Sequence, residues 1–191
     1  PSGTVAIGFY ANYNNCTGIF NTTVGAQAMQ CNTGACNTAL GYCALHNNSS
    51  AIRNTAVGMR AGVTNTTGQA NTIVGSEAML LNTTGNYNTA IGQAALYANT
   101  TARCNVAVGG LALRYSTTGC FNTAVGTEAL YCNTTGGNNV GIGFCTLACV
   151  ETGCCNIAIG ECAGRGVACV DRTIAIGHCA LFTGPGYGGT I

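Results

Sequence analysis

The stretch Asn88-Thr89-Ala90-Ile91-Gly92-Gln93-Ala94-Ala95-Leu96-Tyr97-Ala98-Asn99-Thr100-Thr101-Ala102 is one copy of a unit that fills the chain. Its glycine recurs as Gly8, Gly25, Gly41, Gly58, Gly75, Gly92, Gly109, Gly126, Gly143, Gly160 and Gly177, at spacings of seventeen residues except for sixteen between Gly25 and Gly41. The residue before each of these glycines is Val, Ile or Leu, and the third before is Val, Ile or Thr. A fixed short period means stacked copies of one supersecondary unit, so residues one period apart become neighbours in space.

Within the unit, Asn88 to Gly92 reads as a short strand. Thr89 and Ile91 share one face, assigned inward because their columns are β-branched or aliphatic, and Ala90 faces the other way. Glycine then turns the chain. The Ala-Leu pair (Ala95-Leu96, Ala112-Leu113, Ala129-Leu130) follows as a second strand. The N-T-T-G runs Asn65–Gly68, Asn82–Gly85 and Asn133–Gly136 supply the opposite turn. Recurring Gly, Thr and Asn forbid helices of useful length. The pattern predicts an all-β fold, a parallel β-solenoid of eleven 17-residue rungs about 50 Å long, forming one domain over 1–191. Asn at the first strand position in nine rungs, Asn21 through Asn156, predicts a hydrogen-bonded side-chain ladder.

Thr4-Val5-Ala6-Ile7-Gly8 and Thr173-Ile174-Ala175-Ile176-Gly177, followed elsewhere by A-L and N-T-T-G, resemble the repeats of trimeric autotransporter adhesin heads and of phage tail-fibre proteins. The resemblance covers essentially the whole chain. It implies a left-handed parallel β-roll and a trimeric adhesin or viral tail-fibre segment. Those proteins are generally poor in cysteine, whereas this chain is rich in it.

Charged residues make up 6% of the chain, against roughly a quarter in ordinary soluble proteins. There is no Lys, and the net charge is +1, so nucleic acid and anionic lipid have no electrostatic reason to bind. No apolar run approaches the roughly 18 residues that span a bilayer, and membrane insertion is not expected. Fourteen cysteines point to an oxidising compartment, hence to an extracellular, secreted protein numbered from its mature end.

Neighbouring parallel rungs lie about 4.8 Å apart, within the Cα range of a disulfide. Cys145, Cys162 and Cys179 fall two residues past the glycine in consecutive rungs, and Cys132 and Cys149 fall six past. Cys104 with Cys120, and Cys16 with Cys31, occupy nearly matching places in adjacent rungs. With Cys36, Cys43, Cys154, Cys155 and Cys169 they make up the disulfide candidates, expected as staples between rungs at both ends, leaving Ala44 to Arg103 unstapled.

Sequons begin at Asn15, Asn21, Asn47, Asn48, Asn65, Asn82, Asn99 and Asn133. Six of them, Asn15, Asn48, Asn65, Asn82, Asn99 and Asn133, share the column seven residues past the glycine, which is expected at an exposed corner. Covalent glycans there would hydrate a surface short of charge.

Catalysis is poorly supplied, and neither enzyme activity nor a cofactor is expected. His46 and His178 each have a cysteine nearby, Cys43 and Cys179. Adjacent strand residues point to opposite faces, which would keep His178 from Cys179. Cys31, Cys36, Cys43 and His46 have spacings that match no common zinc site. Gly184 to Gly189 reads as a tail or corner, since a phosphate loop would open a helix.

Thr190-Ile191 has the form of the start of a further rung, and Pro1 to Thr4 leads almost at once into the first. Solenoid ends normally carry caps against edge pairing. The leading expectation is a head-to-tail homopolymer of identical subunits that assemble through Pro1, Thr4, Thr190 and Ile191 into a filament. A trimeric adhesin or tail-fibre segment is the alternative. Ice binding ranks third, because the threonine column is assigned inward.

Overall fold

The computed structural model describes residues 2–166 and 168–182. They form eleven three-residue strands: β1 (Val5–Ile7), β2 (Thr22–Val24), β3 (Thr38–Leu40), β4 (Thr55–Val57), β5 (Thr72–Val74), β6 (Thr89–Ile91), β7 (Val106–Val108), β8 (Thr123–Val125), β9 (Val140–Ile142), β10 (Ile157–Ile159) and β11 (Ile174–Ile176). Each pairs in parallel with the next, giving one sheet in sequential order. The register follows the repeat, with Thr55 beside Thr72 and Thr72 beside Thr89. The chain is a parallel β-solenoid, as the period predicts. The sixteen-residue coil keeps this register, with Thr22 beside Thr38. Its missing residue is absorbed at Asn32-Thr33-Gly34, where the Asn32 amide closes on Gly34 rather than on a residue three away.

The orientation of the strands differs from expectation. From β2 to β11 the middle residue of each strand is buried, and the flanking Thr, Val, Ile or Leu turn outward. The physical reason is the thinness of the coil. One small side chain per strand, such as Ala39, Ala56, Ala90, Ala107 or Ala124, fills the space on that side. The opposite side is supplied by Ala44, Ala61, Ala78, Ala95, Ala112 and Ala129 and by Met29, Leu45, Met79, Leu96, Leu113, Leu130 and Leu147, all buried. Where that large column has Gly62, the strand centre of the next coil carries Ile73, whose Cδ1 would lie 2.8 Å from a Cβ on Gly62. Volume lost on one wall is restored from the other.

The second strand does not form. Ala95 and Leu96 are adjacent and both buried, which strand alternation does not allow. The backbone solves this by entering the left-handed region at Ala94 (φ 50°) and again at Leu96 (φ 50°). The segment still bonds to both neighbouring coils: Ala94 N–H donates back to Ser76 O at 2.9 Å, and Leu96 N–H donates onward to Ala112 O at 2.9 Å. A third left-handed residue, Tyr87 in the preceding corner (φ 59°), recurs as Cys104 and Phe121 in the coils that follow. Non-glycine residues there cost on the order of 1–2 kcal/mol each, so the stacking contacts must outweigh a recurring local strain.

The polar interior is organised by two asparagine columns. In the first, each Oδ1 accepts the backbone N–H of the next column member, as from Asn71 to Asn54 and from Asn88 to Asn71, both at 2.9 Å. Each Nδ2 donates across the coil, as from Asn88 to Ala102 O at 2.9 Å. This is the expected ladder, and it runs from Asn21 to Asn156 before ending on Thr173 N–H. The second column links side chains directly: Asn82 Nδ2 donates to Asn65 Oδ1 at 2.6 Å, and Asn99 Nδ2 to Asn82 Oδ1 at 2.7 Å. Ser116 interrupts it, and Asn99 Oδ1, Ser116 Oγ and both amide atoms of Asn133 are buried without partners.

Two predictions follow from this stacking. Gly92 has φ +137°, and a Cβ there would meet the Gly109 carbonyl oxygen well inside van der Waals contact, whereas nothing lies within 4 Å of a Cβ on Gly110. Gly92→Ala should therefore cost about 3 kcal/mol or more and Gly110→Ala about 0.5 kcal/mol or less, read by denaturant unfolding; equal effects would refute the close-stacking account. Completing the second ladder with Ser116→Asn, in an unglycosylated preparation, should raise stability by about 1–3 kcal/mol, while Asn82→Ala should lower it by a similar amount. A lower unfolding midpoint for Ser116→Asn would show that the gap is not the defect described.

Candidate assembly interface

The outward residues of β1 to β11 form two columns. One holds Val5, Val106, Val140, Ile157, Ile174 and six threonines, including Thr55, Thr72 and Thr89. The other is aliphatic throughout, from Ile7 through Val57, Val74 and Ile91 to Ile176. Neither contains a charged residue. In the middle of the sheet Ile91, Val125, Ile142 and Ile159 keep 36–39% of their surface exposed. Ten strand spacings of about 4.8 Å make the face nearly 50 Å long. At a width of one three-residue strand it offers on the order of 500 Å² per copy, so two facing copies would bury about 1,000 Å², the lower bound for a specific interface. The expectation of an inward threonine column is corrected here, and with it the ground for discounting ice binding.

The first coil presents Phe9, Tyr10 and Tyr13 to solvent, with ring centroids 4.1 and 4.7 Å apart. At the last described coil, Ile174, Ala175, Ile176, Ala180 and Leu181 line a hollow of about 120 Å³. Of the residues expected to join subunits end to end, Thr4 is half-buried, its Oγ1 buried without a partner. Pro1, Thr190 and Ile191 lie outside the described residues, as does the Gly184–Gly189 stretch.

The sequon column is not at an exposed corner. Asn48, Asn65, Asn82, Asn99 and Asn133 are fully buried, and the first four give their Nδ2 to the ladder. Asn15 is half-buried and donates its amide to Gly18 O at 2.9 Å. A sugar has no room on the five fully buried nitrogens, and on the first four it would also remove the ladder bonds, so the expected line of glycans is incompatible with the folded coil. Among the sequons, Asn47 is the exposed one; its Oδ1 lies 2.8 Å from His46 Nδ1.

The structure joins none of the fourteen cysteines in a disulfide. Register supports staples less widely than expected. Cys145, Cys162 and Cys179 do share a column, as do Cys132 and Cys149, but Cys120 stacks on Arg103 rather than on Cys104, its Sγ accepting the Arg103 N–H at 3.4 Å. Cys31 stacks on Asn14, two residues from Cys16. Cys43 lies beside Gln27, to which its thiol donates at 3.3 Å. In-register pairs thus sit toward the last coils and not at the first. Burial first, then the hydrogen bond to Glu128 and its charge, pushes the Cys145 thiol up to about 12.

Contrary to expectation, His178 and Cys179 do meet, with Nε2 and Sγ 3.4 Å apart. They lie past the strand, and Cys179 has φ 51°, so strand alternation does not apply. His178 Nδ1 lies 3.7 Å from Glu161 Oε2. Burial and the neighbouring Cys162 and Glu161 push the Cys179 thiol above its usual range, which is the wrong direction for a nucleophile at neutral pH. His46 Nε2 is 2.8 Å from Gln30 Oε1. Among the described residues no three His, Cys, Asp or Glu side chains converge on a metal position.

No protein-family model, curated protein or solved structure matches the chain.

Oxidation should link Cys132 to Cys149 and Cys162 to Cys179 first, because attack requires a thiolate and Cys145 is the hardest to deprotonate. Non-reducing peptide mapping after air oxidation reads this; an intramolecular Cys16–Cys31 or Cys104–Cys120 bridge as the major product would contradict the register.

Proposed function

We propose that this chain is a structural rod that associates side by side with copies of itself through the outward face of β1 to β11. The observation that carries this reading is an uncharged, largely aliphatic sheet face that runs the length of the described solenoid without a covering element. Apolar patches beyond a few hundred Å² on soluble chains commonly mark association sites. The resemblance to trimeric fibre repeats supports three copies as the number, their sheet faces directed at a shared axis. An extracellular setting rests on the cysteine count.

A second reading, head-to-tail stacking into a filament, is favoured by the exposed aromatic cluster on the first coil and the apolar hollow at the last described one. The outward threonines also give ice binding a footing, which a solution without thermal hysteresis would remove.

Light scattering coupled to gel filtration separates the two assembly readings. A discrete, concentration-independent oligomer is expected, and Val57→Lys/Ile91→Lys/Val125→Lys, placed on alternate coils of the outer face, should convert it to monomer with an unchanged circular dichroism spectrum. An open-ended size distribution with filaments in negative stain would instead support end-to-end stacking. A wild-type monomer at high concentration would sink both.

A further inference from the structure

Five residues past the glycine, three consecutive coils carry Tyr97, Arg114 and Tyr131, and Tyr115 stands next to Arg114. Arg114 Cζ lies 5.4 Å from the Tyr97 ring centroid and 5.5 Å from that of Tyr115. Tyr115 and Tyr131 meet edge-on with centroids 5.0 Å apart. The Tyr115 hydroxyl and then burial push the Tyr131 phenol above its usual value. The guanidinium is therefore fixed among aromatic rings rather than waving in solvent, and cation–π attraction holds it there.

Its hydrogen bonds are the unexplained part. Arg114 Nε is shielded and has no acceptor, which leaves the terminal Nη groups as the donors within reach of a ligand. The ion pairs among the described residues are Arg60–Glu77 and His178–Glu161, neither of which reaches it. Arg60 has a carboxylate at 2.9 Å, and Arg165 has the Cys162 sulfur at 3.8 Å. Arg114 has ring faces instead. A guanidinium presents its donors as a planar fork that matches a carboxylate or sulfate edge. No carboxylate among the described residues pairs with Arg114, so an anion bound there would come from outside.

We propose that Tyr97, Arg114, Tyr115 and Tyr131 form a binding site for an anionic saccharide, with Arg114 taking the carboxylate or sulfate and a tyrosine face taking the sugar ring. Size favours a sugar over a protein: the cluster spans two coil spacings, about 10 Å, the length of one or two sugar rings, and a patch of that width offers on the order of 100 Å², far below the roughly 800 Å² per partner of a protein interface. The rings favour a sugar over a bare anion, because they offer apolar faces and phenol hydroxyls beside the charge. The site uses none of the outer sheet residues and so stands apart from the assembly reading.

The test is a titration of the wild-type protein, labelled with ¹⁵N at arginine, in which each Nε–Hε pair gives its own signal. The probes are 3′-sialyllactose, trigalacturonate, lactose and inorganic sulfate. A saturable shift of the Arg114 signal with either acidic sugar, and none with lactose, is expected. Arg114→Lys should weaken that binding about tenfold or more, since an ammonium cannot reproduce the fork. Tyr97→Ala should weaken the sugar while leaving any response to sulfate unchanged, and circular dichroism confirms that each variant folds. No shift with either acidic sugar, an equal shift with lactose, or a response to sulfate that matches the sugars and ignores the tyrosines would each overturn the proposal. These readouts come from the wild-type chain as well as from variants, and none depends on its oligomeric state.

Discussion

The interaction on which this structure depends is the amide of a buried asparagine that satisfies the coil beside its own. A coil of seventeen residues encloses too little volume for a thick apolar core, and its corners bring backbone N–H and C=O groups into an interior without water. Unpaired groups there would each cost about 1–3 kcal/mol. Asparagine carries an acceptor and two donors on one short arm. Asn88 can therefore accept from the Asn105 backbone at 3.0 Å while it donates across its own coil to Ala102. The close stacking of glycine on glycine and the in-register sheet both require a corner settled in this way. Apolar burial here is modest, mostly alanine and one larger side chain per coil, and the polar columns supply the specificity that a thin core cannot.

The period was legible in the sequence because stacking makes equivalent positions share one environment. What was not legible is which way that environment faces. The columns headed by Thr89 and Ile91 look like core by composition, yet a large part of any folded surface is apolar, and in this coil the interior had already been filled by alanine. The adjacent pair Ala95-Leu96 held the missing signal, since two neighbouring positions that are both apolar in most coils, as again at Ala112-Leu113 and Ala129-Leu130, do not fit an alternating strand.

The sequon column failed for a different reason. The letters N-T-T-G describe an acceptor for sugar and a self-bonded corner equally well. The clue was the small residue three places after each asparagine, as with Asn65 and Gly68, where the amide closes on that carbonyl at 3.0 Å. Strand alternation does not reach His178 and Cys179, because both lie past the end of β11. Arg114 gives no signal in the sequence: one arginine among neutral residues carries no motif, and its meaning appears only when the period places tyrosines on the coils before and after it.

The break at Ser116 gives the rod a mechanical seam. A solenoid behaves as a one-dimensional row in which each coil is held by its own stability and by its two neighbours, so a single weak junction partitions cooperativity in a way that no single weak contact does in a globule. On one side of the seam the coils are tied by the second amide column from Asn32 to Asn99. On the other, that column gives way to Val150, and the thiol columns of Cys132 and Cys145 begin. The sheet and the first ladder cross Ser116 unbroken, so the seam divides coils held by two amide columns from coils held by one.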